Sequence, residues 1–386
     1  MSSYSPIGPV VGIVGAGQLA RMSQPPAIAL GVELRVLANA PDESAARVIV
    51  DTRLGDYRDL ADLREFAQGC DVITFDHEHV PTEHIRALAA AGHVVRPGAD
   101  ALVHAQDKAA MRERLSGIGV PCPAWARVSS PADVERFAAE HGWPVVLKAV
   151  RGGYDGRGVW VCRSAEEAAQ ATAGPFAAGL EMLAEAFVPF ERELAVLVAR
   201  SPHGQGVSYP VVETVQQDGI CVEVLAPAPR LDPEVAAQAQ RIGLKIAEEL
   251  GVTGLLAVEL FETAGGLVVN ELAMRPHNSG HWTIEGSTTS QFEQHLRAVL
   301  DLPLGTPKMT AQVVVMANLL GGDDPDLFKR YEHVLAHDPG IKLHFYGKQV
   351  RPGRKIGHVT ALGSNLDEVR ARARHAAVYL TTGEYT

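Results

Sequence analysis

The sequence has little with which to build a disulfide scaffold or a structural zinc centre. Its four cysteines, Cys70, Cys122, Cys162 and Cys221, stand far apart with no CxxC pair and no Cys/His grouping. They read as reduced thiols of a cytoplasmic protein. Positive charge is also scarce. Against 46 Asp and Glu there are 35 Lys and Arg, a formal net charge of −11, and phosphate backbones attract basic surfaces, so no nucleic-acid partner is expected. A small anionic substrate stays open, because a local basic cluster can oppose the global sign. No apolar run reaches the roughly 18 residues of a membrane span. The stretch Met1–Ile7 lacks the basic and apolar parts of an export signal, so neither membrane nor export is expected. What remains is 46% hydrophobic and 21% charged residues over 386 positions, the balance of a soluble globular chain with two or three domains.

Along the chain, Val10–Val14 is a short β-branched run that reads as a buried strand, followed by a helical pattern over Gln18–Gly31 that Pro25 and Pro26 interrupt or kink. Leu34–Ala38 reads as a second strand, Leu60–Gln68 as a helix, Asp71–Phe75 as a strand and Thr82–Ala91 as a helix, with Val94 and Val95 adding one more strand. This alternation predicts a doubly wound α/β domain over residues 1–104. Residues 105–303 read as α+β. They hold a helix over Asp107–Gly117, then short strands and a helix capped by Ser164 within a subdomain at about 125–190. A long helix at Asp232–Leu250 precedes two apolar strands, Gly254–Phe261 and Gly266–Glu271. Residues 304–386, with strands near Gln312–Asn318, Lys342–Tyr346 and Gly357–Leu362 and a helix over Leu366–Leu380, look like a small capping domain.

Five motifs carry chemistry. Gly15-Ala-Gly17-Gln18 follows a strand and opens a helix, as in a dinucleotide fingerprint. The second strand, however, ends without the acid that would hold a ribose, so a tight turn offering amides to an anion is the alternative. Arg151–Gly158 packs four glycines, two arginines and Asp155 into eight residues between two strands, the first ending in Lys148. It reads as a phosphate-cradling loop, with a flexible hairpin as the bland reading. Glu259 and Glu271 lie near the ends of two apolar strands, with Asn270 beside the second. Together they suit Mg2+ holding nucleotide phosphates, unless they are structural ion pairs. Lys348–Lys355 is a basic turn in an acidic protein, read as a phosphate-monoester site or a solvated charge run. Arg275–Trp282 is dense in donors and turn formers, as in a binding loop. His277 and His281 stand at i and i+4, but Pro276 and Gly280 oppose the helix a zinc pair would need.

With Lys108, Lys148, the glycine loop, the carboxylates and the basic turn in this order, the chain resembles the ATP-grasp superfamily and, within it, the N5-carboxyaminoimidazole ribonucleotide synthetases. The segments Gly-Gly-Tyr-Asp-Gly-Arg-Gly and His277–Thr283 carry the closer likeness. The resemblance implies ATP- and Mg2+-dependent carboxylation of 5-aminoimidazole ribonucleotide by bicarbonate, through carboxyphosphate. It implies a homodimer and a separate mutase that takes the product. By position it assigns Lys108 and Lys148 to the ATP phosphates and Gly153, Tyr154, Asp155, Gly156, Arg157, Gly158 and Val159 to a lid over them. Glu185, Ala186, Phe187 and Val188 would read the adenine edge and Glu193 the ribose. His104 and Gln216 would stand at two further ATP contacts, and Asn270, Glu259 and Glu271 at the metal. Tyr154, Asp155, Arg157, Arg275 and His277 would face bicarbonate and the imidazole, with Asp155 and His277 both open as the proton-moving group. Gly17, Gln18, Lys348, Arg351 and Arg354 would take the ribonucleotide phosphate. A formate-using or amino-acid ATP-grasp ligase, an NAD-dependent oxidoreductase and a non-catalytic nucleotide sensor are the competing readings.

Overall fold

The computed structural model describes residues 7–152 and 158–385. Val10–Val14 (β1), Glu33–Ala38 (β2), Asp51–Leu54 (β3) and Val72–Phe75 (β4) form a parallel sheet in the order β3-β2-β1-β4. Helices Gln18–Leu30 (α1), Leu60–Ala67 (α2) and Thr82–Ala90 (α3) alternate with these strands. Two local expectations fail. Helix α1 runs unbroken through Pro25 and Pro26. Those prolines remove two amide donors, yet Leu19, Ala20, Met22, Ser23 and Ala27 are buried on one face, and that packing outweighs the local loss. Val94-Val95 is no strand but a single parallel bridge, Ile73 to Val95, after which Pro97 has no amide to continue a ladder. Strand β3 escaped the sequence reading because it is a polar, partly exposed edge with no apolar run.

Helices Ala99–Gln106 (α4) and Lys108–Gly117 (α5) meet at Asp107, whose carboxylate caps α5 by accepting from the Ala110 amide at 2.9 Å. Next come Trp125–Val128 (β5), helix Pro131–His141 (α6), Val145–Ala149 (β6), Val159–Cys162 (β7), helix Ala165–Ala177 (α7) and Met182–Ala186 (β8). The strands make an antiparallel sheet, β5-β8-β6-β7, whose own small core unites Val134 and Phe137 of α6 with Val145, Leu147 and Met182. Ser164 caps α7 as the sequence suggests, accepting from the Glu167 amide at 3.2 Å. Helix α6 was not anticipated, although Ser130-Pro131 is the same kind of start signal, with Ser130 as cap and Pro131 at the first turn.

The largest sheet contains Arg192–Arg200 (β9), Gly206–Ser208 (β10), Val212–Gln217 (β11), Ile220–Ala226 (β12), Gly254–Thr263 (β13), Gly266–Ala273 (β14), Val313–Leu320 (β15), Lys342–Phe345 (β16) and Lys355–Gly363 (β17). Its order is β14-β13-β9-β11-β12-β15-β17-β16, with β10 beside β9. The remaining helices are Pro233–Glu249 (α8), Thr283–Gly286 (α9), Gln291–Val299 (α10), Tyr331–His337 (α11) and Leu366–Thr382 (α12). The segment after Pro303 thus adds three strands to this sheet, and α12 packs on β15 and β17. Strand β9 shows why its sequence is apolar throughout. Leu194, Val196 and Val198 enter one core with α8, while Ala195, Leu197 and Ala199 enter another with Trp282 on the opposite face. One buried cluster runs from Val14 and Phe66 through Met111 to Val196 and Val269, so the N-terminal sheet and the central sheet share a core. His295 adds a polar tie. Its Nδ1 accepts from the Leu255 amide at 3.1 Å, which leaves Nε2 to donate to Thr74 Oγ1 at 2.9 Å.

Candidate active site

The floor of the site is a register irregularity. Glu259 pairs with Glu271 across β13 and β14, but the next residue, Leu260, pairs with Val269, so Asn270 is an extra residue on its strand. Strict alternation would send Asn270 and Glu271 to opposite faces. The bulge brings both to lysines of one cluster: Lys148 Nζ donates to Asn270 Oδ1 at 3.2 Å, and Lys108 Nζ lies 3.1 Å from Glu271 Oε1. Burial, and then the charge of Glu271, push the Glu259 carboxyl up to about 8. Two facing carboxylates, one of them destabilised as an anion, beside an amide oxygen are a hard-oxygen donor set that fits Mg2+.

Beside this pair lies a buried acid in the opposite condition. Lys108 and Arg112 stand one turn apart on α5. Arg112, fully buried, donates through Nε to Glu185 Oε1 at 2.6 Å, and its Nη atoms donate to the Val269 and Asn270 carbonyls at 3.0 and 2.7 Å. Lys148 Nζ sits 2.7 Å from Glu185 Oε2. Burial alone would raise the Glu185 carboxyl, but Lys148 and Arg112 overcome it and hold the group below the ordinary value. The Glu185 side chain is therefore committed to this knot. Strand β8 ends at Ala186, whose amide donates to the Ala124 carbonyl at 2.9 Å, so Phe187 and Val188, assigned by resemblance to the adenine edge, follow in irregular chain. On the neighbouring strands Glu193 and Gln216 meet through their side chains, while burial raises the Glu193 carboxyl. In the last turn of α4, burial lowers the His104 imidazole below its ordinary value.

The two roots of the glycine loop sit over these lysines. The Lys108 amide donates to the Val150 carbonyl at 2.9 Å, Lys108 Nζ donates to the Gly152 carbonyl at 3.3 Å, and Arg151 Nε pairs with the Asp107 carboxylate at 3.1 Å. On the return side the Ala149 amide donates to the Gly158 carbonyl at 2.9 Å, and Val159 pairs with Lys148. Gly153, Tyr154, Asp155, Gly156 and Arg157 lie outside the described residues.

Arg275–Trp282 is only in part the binding loop expected from its composition. Arg275 Nε pairs with Glu78 Oε2 at 2.8 Å, and His277 Nε2 lies 3.6 Å from Glu259 Oε1. The rest turns inward: Ser279, Gly280, His281 and Trp282 are buried, and His281 Nδ1 bonds to Gln291 Nε2 at 2.9 Å. Gly280 is required there, because a Cβ would meet Gln291 Oε1 at 2.3 Å and Leu197 Cδ1 at 2.5 Å. Burial first, then Arg275 and Lys355, lower the His277 imidazole to about 3. Its Nδ1 lies 2.9 Å from Ser279 Oγ and 3.4 Å from the Ser279 amide, whose N–H it accepts. The neutral ring then carries its proton on Nε2, facing Glu259.

At the glycine turn the protein has used the helix end itself. The Gly17 and Ala20 amides donate to the two Asp76 oxygens at 2.7 and 2.8 Å, and a Cβ on Gly17 would sit 2.1 Å from that carboxylate. Gln18 is left to reach across, where its Oε1 accepts from Lys348 Nζ. Lys348 also lies 5.7 Å above the Tyr346 ring. The basic turn divides: Arg351 donates to Gln349 Oε1 at 2.9 Å and Arg354 to the Gln349 carbonyl at 3.3 Å, while Lys348 addresses α1. Arg47 donates to the Gly347 carbonyl at 3.2 Å and Arg21 to the Ser44 carbonyl at 2.9 Å. Burial and then Arg47 depress the Arg21 guanidinium. Sequence reading missed Arg112, Glu78, Asp76, Arg21 and Arg47. Arg112 carried a signal, four residues after Lys108 on one helix face. Asp76 and Glu78 stand just past the carboxyl end of a parallel strand, where open α/β sheets bind ligands.

These positions can be set beside known proteins. The ribonucleotide synthetase preATP-grasp domain family matches residues 9–106, the ATP-grasp domain family residues 113–292, and the phosphoribosylaminoimidazole carboxylase C-terminal domain family residues 314–372. The N5-carboxyaminoimidazole ribonucleotide synthase of Mycobacterium bovis is 53% identical over 98% of this chain and 90% of its own length. The chain belongs to the N5-carboxyaminoimidazole ribonucleotide synthase family. The synthase of Corynebacterium ammoniagenes is 48% identical, covering 100% of this chain and 95% of that one. The synthetase structure from Thermus thermophilus superposes with a TM-score of 0.87 at 38% identity, covering 96% of this chain and 98% of that one. The Aspergillus clavatus synthase, solved with ADP and 5-aminoimidazole ribonucleotide, gives 0.88 at 30% identity, covering 97% and 98%. The synthase family therefore has an ATP-grasp fold here, with its N-terminal doubly wound unit and its C-terminal unit.

Proposed function

We propose that this chain carboxylates 5-aminoimidazole ribonucleotide, using ATP, Mg2+ and bicarbonate, to give N5-carboxyaminoimidazole ribonucleotide, ADP and phosphate in purine biosynthesis. Membership of the family supports the reaction. The observation that carries the assignment of residues is the bulge at Asn270, which gathers Glu259, Glu271, Lys108 and Lys148.

Mg2+ held by Glu259 and Glu271, with Asn270 beside them, would neutralise the nucleotide phosphates. Lys148, fixed by Glu185, and Lys108, fixed between Glu271 and the lid root, hold those phosphates in line for attack. The adenine lies by the backbone of Glu185, Ala186, Phe187 and Val188 and the ribose by Glu193, with His104 and Gln216 as further contacts. Bicarbonate oxygen attacks the γ-phosphorus, ADP leaves, and carboxyphosphate results. It breaks down to phosphate and CO2, and the ribonucleotide's exocyclic amine takes the carbon and loses a proton. Arg275, held by Glu78, offers positive charge to the bicarbonate. His277 is a neutral donor through Nε2 and, at about 3, stays uncharged while the amine reacts, which leaves Asp155 as the proposed proton acceptor. Gly153–Val159, including Tyr154 and Arg157, closes over both substrates. Lys348 with Gln18 takes the 5′-phosphate, and Arg351 and Arg354 border it. The same reading divides the chain at about 104 and 303, which the three family matches support, and carries a cytoplasmic homodimer whose product passes to a separate mutase. No helix among the described residues is long and apolar enough to cross a membrane.

The test is phosphate release from ATP as each component is omitted. Release that requires Mg2+, bicarbonate and 5-aminoimidazole ribonucleotide together is expected. Full turnover with formate and glycinamide ribonucleotide, and none with bicarbonate, would overturn the reading.

A further inference from the structure

Three imidazoles meet away from the site just described. His333 and His337 stand one turn apart on α11, so they share a face, and α12 brings His375 beneath them. Their ligand-capable atoms all lie within 4.8 Å of one another. The rings touch pairwise, with centroids 4.4 Å apart for His337 and His375, 5.6 Å for His333 and His375, and 5.7 Å for His333 and His337. His333 Nε2 and His375 Nε2 are 3.3 Å apart. Two nitrogens bound at 2.0–2.1 Å to one tetrahedral zinc ion stand roughly 3.3 Å apart, so that edge of a coordination tetrahedron is already present. A hydrogen bond between the two rings would account for the same distance, but not for a third imidazole drawn to the same point.

The donor set is chemically selective. Three neutral imidazoles suit zinc, copper, nickel or cobalt and give nothing that Mg2+ prefers, whereas the carboxylates at Glu259 and Glu271 do the reverse. Tyr379, 3.9 Å from His333 between ring centroids, walls one side of the cluster, and His337 is exposed, so an ion can enter from solvent. We propose that His333, His337 and His375 form a binding site for a zinc-class divalent cation, with water completing the tetrahedron, and that the ion staples α11 to α12. The staple has a definite mechanical target. Tyr331, at the head of α11, stacks on Phe345 with centroids 5.1 Å apart, at the end of the strand that leads into Lys348.

The experiment uses full-length protein with any affinity tag removed, stripped with a chelator and then kept in excess Mg2+ so that the carboxylate site is filled. ZnCl2 is titrated in competition with a chromogenic chelator, and thermal unfolding is followed with and without Zn2+. One equivalent bound at micromolar Kd or tighter, with a rise in Tm, is expected. Both should weaken by about tenfold or more in His337→Ala, which alters an exposed side chain, and in His375→Asn, while Glu271→Gln leaves them unchanged. Co2+ substitution should give visible absorption in the parent that His337→Ala loses. No stoichiometric zinc binding by the parent protein, or binding undiminished in both histidine variants, would overturn the site.

Discussion

Glu185, buried, and Glu259, partly buried, are acids on either side of Asn270, and they have been treated in opposite ways. Glu185 receives Arg112 at 2.6 Å and Lys148 at 2.7 Å and is held ionised. Glu259 faces a second carboxylate and a neutral histidine and is pushed up to about 8. The desolvation cost of a buried anion is met inside the protein in the first case and left unmet in the second. A scaffold that can bring two cations to one carboxylate can bring one to another, and the difference supports the proposal that at Glu259 charge arrives with the ligand. On the proposed function, the Glu185 side chain is framework, and Glu259 and Glu271 belong to the site.

The strongest way to break this comparison is at Arg112. Its removal leaves Glu185 short of a partner and two carbonyls without a donor. Arg112→Ala should cost about 3–5 kcal/mol of stability in urea unfolding, and a loss below about 1 kcal/mol would mean that the knot is not framework. Glu271→Gln should do the opposite. The fold should be kept or slightly stabilised, because a like charge facing Glu259 is gone, while kcat falls by about 100-fold or more, roughly 2.7 kcal/mol of barrier. Near-normal kcat at ordinary Mg2+ would show Glu271 to be structural.

Titration sharpens the contrast further. The folded-state value of Glu259 is raised, so its favourable contribution is fully present below the ordinary carboxylate range and is lost as pH rises toward about 8. The metal-free protein should therefore become less stable across that window. Mg2+ displaces the proton, so the Tm gain on adding Mg2+ should grow from about pH 6 to about pH 8.5 and should shrink in Glu271→Gln. A gain independent of pH would mean that Glu259 is already ionised at neutrality.

The same contrast explains what could be read in advance. Strand β13 and helix α8 were legible because burial on both faces, or on one stripe, writes a periodic pattern into the residues themselves. Glu259, Asn270 and Glu271 were legible because acids in apolar strands are costly without a function. The bulge that unites them was not, since nothing in Val-Val-Asn-Glu marks which residue is left unpaired. Asp76 was missed for a related reason: a carboxylate that binds helix amides 56 and 59 residues away leaves no local trace. Helix α1 tolerates two prolines through contacts that are equally remote.

Between framework and site stands the basic turn, and it invites the smallest test. Lys348 is joined to Gln18 on α1, and Arg21 and Arg47 crowd the adjoining Gly347, so cations are concentrated here as carboxylates are at Glu259. If this cluster waits for an anion as the carboxylates wait for a cation, Lys348→Ala should leave stability nearly unchanged. It should raise KM for the ribonucleotide about tenfold, roughly 1.4 kcal/mol, with little change in KM for ATP. Arg351→Ala, whose side chain turns to Gln349, should have the weaker effect. Equal rises in both KM values would place Lys348 with the nucleotide. A stability loss without any change in KM would move it to the framework, beside Arg112.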